Sequence, residues 1–185
     1  MTRPLCGIDE AGRGPLAGSL VMAGVVLKGE VDGLMDSKKL TQKKREALYP
    51  LIVANSDYHI VSFSAQEVDE LGISKCLHKG LLSIQKHIAN ADYLFDGNST
   101  FKVSNIKTMV KADDKVKEVS AASILAKVTR DRQIIAQAKI YPQYGFEKHK
   151  GYGTKAHMEA LLKHGRCPIH RKTFRVKGLD EPDLF

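Results

Sequence analysis

The sequence predicts an α/β fold in which a mixed β-sheet is flanked by helices, with a small helical C-terminal region. Three observations lead there. Strand-length apolar runs alternate with segments of helical periodicity as far as residue 140. One of those runs, "SLVMAGVVL", is apolar at nearly every position, as a central strand buried on both faces requires. Beyond "YPQYGF" the composition turns basic around a single helical stretch. With 185 residues, 43% of them hydrophobic and 27% charged, the chain is long enough to bury one core.

In chain order, "LCGID" and "SLVMAGVVL" are strands on either side of a glycine-rich loop. After the polar link "DSKKL", Thr41 is an N-cap for a helix over "QKKREALYPLIVA", which Pro50 kinks or ends early. "DYHIVSFS" alternates as a half-buried strand does. Ser64 and Glu67 have capping-box spacing and open a short helix that Gly72 closes. Ile73, Cys76, Leu77, Leu81, Ile84 and Ile88 recur at helical spacing, so "ISKCLHKGLLSIQKHI" is an amphipathic helix. "DYLFDG" and "NIKTMV" supply two further strands. Glu118 to about Ile140 forms a long helix whose small-residue start suits close packing. A last helix falls near "KAHMEALLKHG". Residues 1–140 make the main domain, and 141–185 a basic helical extension packed on it and ending in a flexible tail.

A formal charge of +8 and a pI near 9.3 point to a polyanionic partner. Cys6, Cys76 and Cys167 are odd in number and far apart, without a CxxC pair, so they read as reduced thiols rather than a zinc site or a disulfide framework. No stretch at the start reads as a signal peptide and none approaches the roughly 20 apolar residues of a membrane span. A cytoplasmic protein, without membrane contact and with nothing to imply more than a monomer, is expected.

The chemistry-bearing residues are acids. Asp9 and Glu10 stand side by side where the first strand runs out, ahead of "AGRGP". Like charges so placed call for something positive nearby. Asp96 ends the apolar "YLF", and Asp113 and Asp114 follow the apolar "TMV". Carboxylates gathered at strand ends along one edge of a sheet are where α/β proteins build sites. Oxygen ligands without thiolates or suitably spaced histidines favour a hard cation, Mg²⁺ or Mn²⁺. The loop "GRGPLAGS" lacks the lysine of a phosphate-binding loop and misses GxGxxG by one residue, but it offers bare backbone and, in Arg13, a phosphate partner. Between Lys148 and Lys177 there are nine Lys or Arg, four His and one acid. There His149, His157, His164 and His170 follow no metal-binding spacing and are expected to add to a basic surface. Tyr152, between two glycines, is a stacking platform for a sugar or base, or else a cover for the edge of the core.

Taken in order, "GIDEAGRGP", "DSKKL", "LFDG", "SAASILAKVTRD" and "YPQYGFEKHKGYGTKAH" with "HRKTF" resemble type 2 ribonuclease H, the bacterial ribonuclease HII family, from about Gly7 to Phe174. The resemblance implies a ribonuclease H-like fold and a metal-dependent endonuclease using two divalent ions, Mn²⁺ or Mg²⁺. Its implied substrates are RNA–DNA hybrids and duplex DNA carrying single ribonucleotides, cut on the 5′ side of a ribonucleotide to leave 3′-hydroxyl and 5′-phosphate ends. The four catalytic and metal-holding acids of the family fall on Asp9, Glu10, Asp96 and Asp113, with Asp114 the alternative in the doubled pair. Its reader of the ribose falls on Gly12, Arg13 and Gly14, and the partner tyrosine on Tyr152. Lys38 and Lys39, with the basic extension, are candidates for contacts to the nucleic-acid backbone. Asp183, Leu184 and Phe185 resemble the end of peptides that dock on the replication sliding clamp, although Glu181 and Pro182 depart from that motif.

Overall fold

The computed structural model describes residues 3–34 and 40–180. Strands β1 (Leu5–Ala11), β2 (Leu20–Leu27), β3 (Ser56–Phe63), β4 (Asp92–Asp96) and β5 (Ile106–Met109) form one sheet in the order β3-β2-β1-β4-β5. β3, β2 and β1 pair antiparallel, whereas β1, β4 and β5 pair parallel. The sheet is therefore mixed, as predicted.

Both faces of β2 are covered, which is why its sequence is apolar throughout. Leu20 and Met22 pack with Cys76, Leu77, Leu81 and Ile84 of α3 (Ile73–His87), joined by Val68 of α2 (Ala65–Leu71). Val21, Ala23 and Val25 pack on the opposite face with Ile124 and Leu125 of α4 (Lys117–Ile140) and Ile52 of α1 (Gln42–Ala54). Each fully buried leucine or isoleucine there contributes about 1.5–3 kcal/mol. Helix α4 crosses β1 closely because β1 carries Gly7: a Cβ at that position would lie 2.2 Å from the carbonyl carbon of Glu118. A side chain there would push the start of α4 off the sheet.

Local signals read from the sequence are present as hydrogen bonds. Thr41 Oγ1 accepts from the Lys44 N–H at 3.3 Å. Ser64 Oγ accepts from the Glu67 N–H at 3.2 Å while Glu67 Oε2 accepts from the Ser64 N–H at 2.7 Å, closing the capping box. Pro50 does not end α1, which continues to Ala54. The proline sits on the exposed side, where a carbonyl deprived of its N–H partner can be hydrated. Strand β1 also runs two residues beyond "LCGID", to Ala11, because β2 pairs with it that far. No described helix is long and apolar enough to cross a membrane.

After α4 come two short helices, α5 (Phe146–His149) and α6 (Lys155–His164). Tyr144, Phe146, Leu161 and Val176 pack with Ala17 and Ile134 into a separate apolar cluster. The histidines do not form the expected basic surface. His164 is exposed, but His157 and His170 are buried against this cluster, and the His149 ring stacks on His157 at 4.4 Å. The hydrogen bonds explain why they can be buried. His157 Nδ1 donates to the Tyr152 carbonyl at 2.9 Å, so its Nε2 is an acceptor. His170 Nε2–H donates to it at 3.0 Å, leaving His170 Nδ1 to accept the Cys167 N–H at 2.9 Å. The chain of bonds closes with two neutral rings and no others.

Burial, with each histidine's neighbouring imidazole acting in the same direction, lowers both pKa values, that of His170 to about 4. The unfolded chain takes up this proton near 6.5, so between the two values it binds more protons than the folded one. The contribution is fully present above about pH 6.5 and is lost as pH falls toward 4. Thermal melts should lose roughly 2–3 kcal/mol between pH 7 and pH 4.5, and His170→Gln should flatten that slope. A wild-type melt unchanged over this range would contradict the tautomer assignment.

Candidate active site

The two neighbours of β1 leave it at different points. Parallel pairing with β4 stops at Ile8 opposite Phe95, while antiparallel pairing with β2 continues to Ala11 opposite Val21. Asp9 and Glu10 thus lie where the sheet opens. Asp96 is the last residue of β4, and Asp113 belongs to a single 3-10 turn, Ala112–Asp114, that leads into α4. Carboxylate oxygens of Asp9, Asp96 and Asp113 lie within 4.8 Å of one another. Asp113 is buried, whereas Asp114 is partly exposed and outside this group.

Glu10, the next residue after Asp9, lines the same pocket, but its carboxylate lies outside the group of three. Its Oε1 is 2.6 Å from Arg13 Nε, and its Oε2 is buried with no hydrogen-bond partner. Asp9 is only 8% exposed. Burial, then the adjacent Glu10 and Asp96 charges, push its pKa well above the usual carboxylate range, against the opposing hydrogen bonds from the Ser123 hydroxyl and the Glu10 N–H. Glu10 is also raised, by burial first and by Asp96, with Arg13 pulling the other way. An all-oxygen group of buried and half-buried acids, with the orphaned Glu10 oxygen in the same pocket, fits a hard divalent cation. The same pocket is lined by Gly12, Arg45, Ser123, Lys127 and Tyr152.

Gly12 turns the chain out of β1 at φ +101°, and a Cβ on it would lie 2.4 Å from Arg130 Nε. Gly14 differs, since a Cβ there would meet nothing within 4 Å. The protein itself does not need glycine at 14; the space above it is open. The Tyr152 ring is 43% exposed, with Arg130 Cζ 5.5 Å and Lys127 Nζ 5.8 Å from its centre. It projects as a platform instead of covering the core. Lys38, Lys39, Asp183, Leu184 and Phe185 lie outside the described residues. The sequence reading missed Ser123, Lys127 and Arg130, although their i, i+4, i+7 spacing in "SAASILAKVTRD" puts them on one helix face. It also missed Arg45 and Arg171, for which no local pattern exists.

A family model described as Ribonuclease HII matches residues 6–177. The chain belongs to the ribonuclease HII family. It is 76% identical over 184 residues to the ribonuclease HII of Sulfurovum sp. (strain NBC37-1), covering 100% of this chain and 98% of the relative. Among solved structures, ribonuclease HII in the PCNA:RNase HII complex from Archaeoglobus fulgidus superposes with a TM-score of 0.78 at 26% identity, over 97% of this chain and 98% of that one. The ribonuclease H2 from Pyrococcus horikoshii OT3 gives 0.77 at 29% identity, over 93% and 94%. Membership of ribonuclease HII makes this an endonuclease, a hydrolase with the ribonuclease H-like fold, and its acidic cluster suits the divalent metal such an enzyme requires.

The raised Asp9 value means that this group stabilises the fold fully only below its unfolded pKa, near 3.8, and works against it as pH rises through the folded value. Asp9→Asn removes that cost. In EDTA at pH 7 the variant should melt higher than the wild type, by about 2–4 °C for each kcal/mol recovered. It should also lose the stabilisation that Mg²⁺ or Mn²⁺ gives the wild type. A variant that melts lower in EDTA would show that the acid cluster is not under electrostatic strain.

Proposed function

We propose that the chain hydrolyses the RNA strand of RNA–DNA hybrids and nicks duplex DNA on the 5′ side of single embedded ribonucleotides, leaving 3′-hydroxyl and 5′-phosphate ends. In the cell this serves primer removal and ribonucleotide excision. The observation that carries the reading is a juxtaposition: a group of three acids, two buried and one half-buried, opens beside a loop kept bare at Gly14 and beside the exposed ring of Tyr152. Phosphodiester chemistry and recognition of a sugar thus have adjoining places.

Asp9, Glu10, Asp96 and Asp113 are the residues that would hold two divalent ions, Mg²⁺ or Mn²⁺. When bound, such ions supply a water nucleophile near neutral pH and offset the charge of the departing 3′-oxygen. Ser123 fixes the orientation of Asp9 by hydrogen bonding to its carboxylate. Arg13, its side chain 40% exposed, can reach a phosphate from its place beside Glu10. The backbone of Gly12, Arg13 and Gly14 approaches the ribose and meets the 2′-hydroxyl, the group that DNA lacks. Tyr152 stacks against the sugar next to the junction, which registers the scissile phosphate over the acids. Arg45 and Lys127 at the pocket, with Lys38, Lys39 and the basic extension, hold the phosphate backbone without reading bases. The complex of the Archaeoglobus relative with PCNA supports a clamp contact here too, through Asp183, Leu184 and Phe185. It would raise the local concentration of the nuclease on DNA.

A labelled duplex carrying one ribonucleotide tests the reading. One nick on its 5′ side is expected with Mg²⁺ or Mn²⁺ and none in EDTA; an intact duplex in both would overturn it. Asp96→Asn and Asp113→Asn should lose most cleavage while still binding the duplex, and Asp114→Asn should keep it. The reverse order for the last two would move the fourth acid to Asp114. Tyr152→Ala should cost about 1–3 kcal/mol in cleavage at a single ribonucleotide, with Tyr152→Phe milder. Equal and severe losses in both would assign the work to the phenol hydroxyl instead of the ring.

A further inference from the structure

Arg171 is 1% exposed and has no carboxylate in ion-pair contact among the described residues. Its hydrogen bonds go to backbone carbonyls of the glycine loop. Nη2 donates to Gly12 O at 2.6 Å, Nη1 to Arg13 O at 3.0 Å, and Nε to Gly18 O at 3.1 Å. The backbone around it is tied to the same loop. The Arg171 N–H donates to Leu16 O at 2.8 Å, the Gly18 N–H donates to Ile169 O at 2.9 Å, and Ala17 bridges His170.

The bonds to Gly12 and Arg13 have a geometric consequence. A trans peptide is planar, so its C=O and the following N–H point in opposite directions. With two consecutive carbonyls drawn inward to one guanidinium, the N–H groups of Arg13 and Gly14 are turned outward. A Cβ on Gly14 would meet nothing within 4 Å, so the loop there has open space beside it. An extended chain would alternate these groups; the turn at Gly12, φ +101°, breaks the alternation. Two successive N–H groups on one side form a nest for an electron-rich oxygen.

We propose that Arg171 is a positioning residue for ribose recognition: by holding the Gly12 and Arg13 carbonyls it aims the Arg13 and Gly14 N–H groups at the 2′-oxygen of the substrate. The inference rests on the substrate reading given above. Arg130 supports the other end of the loop, donating to Ala17 O and Ser19 O, and does not reach the Gly12 or Arg13 carbonyls. Among the described residues, only the fork of Arg171 spans those two. A lysine keeps the charge but presents a single ammonium, which cannot reproduce two diverging bonds from a rigid plane.

The experiment compares Arg171→Lys with Arg171, both in the Asp9→Asn background so that nothing is cleaved. Binding is measured by fluorescence anisotropy with Mg²⁺, to a duplex with one ribonucleotide and to the same duplex in all-deoxy form. Two hydrogen bonds to the 2′-oxygen correspond to a preference of about tenfold or more for the ribonucleotide duplex. Arg171→Lys should bring that preference close to one while leaving affinity for the all-deoxy duplex unchanged. Amide hydrogen exchange should accelerate in residues 12–19 and stay unchanged in the sheet. A retained preference overturns the proposal, and so does an equal loss of affinity for both duplexes, which is the mark of a merely structural role. If Arg171→Lys does not fold, Asp69→Ala decides. Asp69 accepts hydrogen bonds from the Lys172 and Thr173 N–H groups at 2.7 and 3.0 Å, and its loss loosens the segment carrying Arg171 from the far surface. A reduced preference in that variant supports the proposal and an unchanged one overturns it. A parent protein that cuts the ribonucleotide duplex when Asp9 is intact but shows no binding preference removes the proposal alone. One that does not cut it removes the substrate reading as well.

Discussion

Six backbone carbonyls depend on two buried guanidinium groups. Arg130 donates to Ala17, Ser19 and Lys150, and Arg171 to Gly12, Arg13 and Gly18. Each arginine is 1% exposed and, among the described residues, without an ion-paired acid. Burying such a charge is costly, and the two repel each other. Burial first and then Arg130 lower the Arg171 pKa to about 10, which still leaves it protonated at neutral pH. What offsets the cost is hydrogen bonding to carbonyls, at about 1.5–3 kcal/mol for a bond to a charged group. Removing either guanidinium would strand three carbonyls. The loop after β1, the middle of α4, the segment before Tyr152 and residues 169–171 are therefore one unit, and the C-terminal region takes part in building the site.

The acids invert that arrangement. The guanidiniums spend most of their donors on carbonyls within the chain, whereas Asp9 and Glu10 keep raised pKa values in spite of the hydrogen bonds to Asp9 and the Arg13 contact to Glu10, and Glu10 Oε2 is buried without a hydrogen-bond partner. A sequence under selection for stability alone would place neutral or apolar groups there. The unsatisfied negative charge is what an entering cation completes. It is kept rigid by the core: β1 and β4 are fixed by pairing, and α4 is brought against β1 by Gly7.

Those features had very different visibility in the sequence. Strand and helix periodicity, the Ser64 capping box and the positions of the acids were legible because each is local. Glu10 lines the same pocket as Asp9 but stands outside the group of three, a separation that spacing along the chain does not give. The histidines were misread because a lysine-rich context argues for surface. His157 and Leu161, one helical turn apart on α6, carry the counter-signal of a shared buried face. Arg171 had no signal at all. Its partners lie more than 150 residues away (158 to Arg13, 159 to Gly12), and an arginine among lysines gives no sign that it is buried.

Arg130 and Arg171 are kept apart from the acids, which leaves Glu10 to the partly exposed Arg13, and the fold provides the separation. The acids sit where the sheet opens; the guanidiniums lie behind the loop that leaves it, and α4 spans both. On that helix Ser123 faces Asp9, Arg130 faces the loop, and between them Lys127 is held by Asp131 at 2.8 Å. Had Arg130 or Arg171 paired with Asp9, both would have been cheaper to bury. The loop carbonyls would then have lost their donors and the acids their capacity for a cation. Keeping the pairs unmade leaves an anionic pocket and a loop with outward N–H groups side by side, one suited to metal and the other to the oxygen atoms of a sugar. The spacing between these two surfaces is set by a single helix, which is the most rigid element available to fix it.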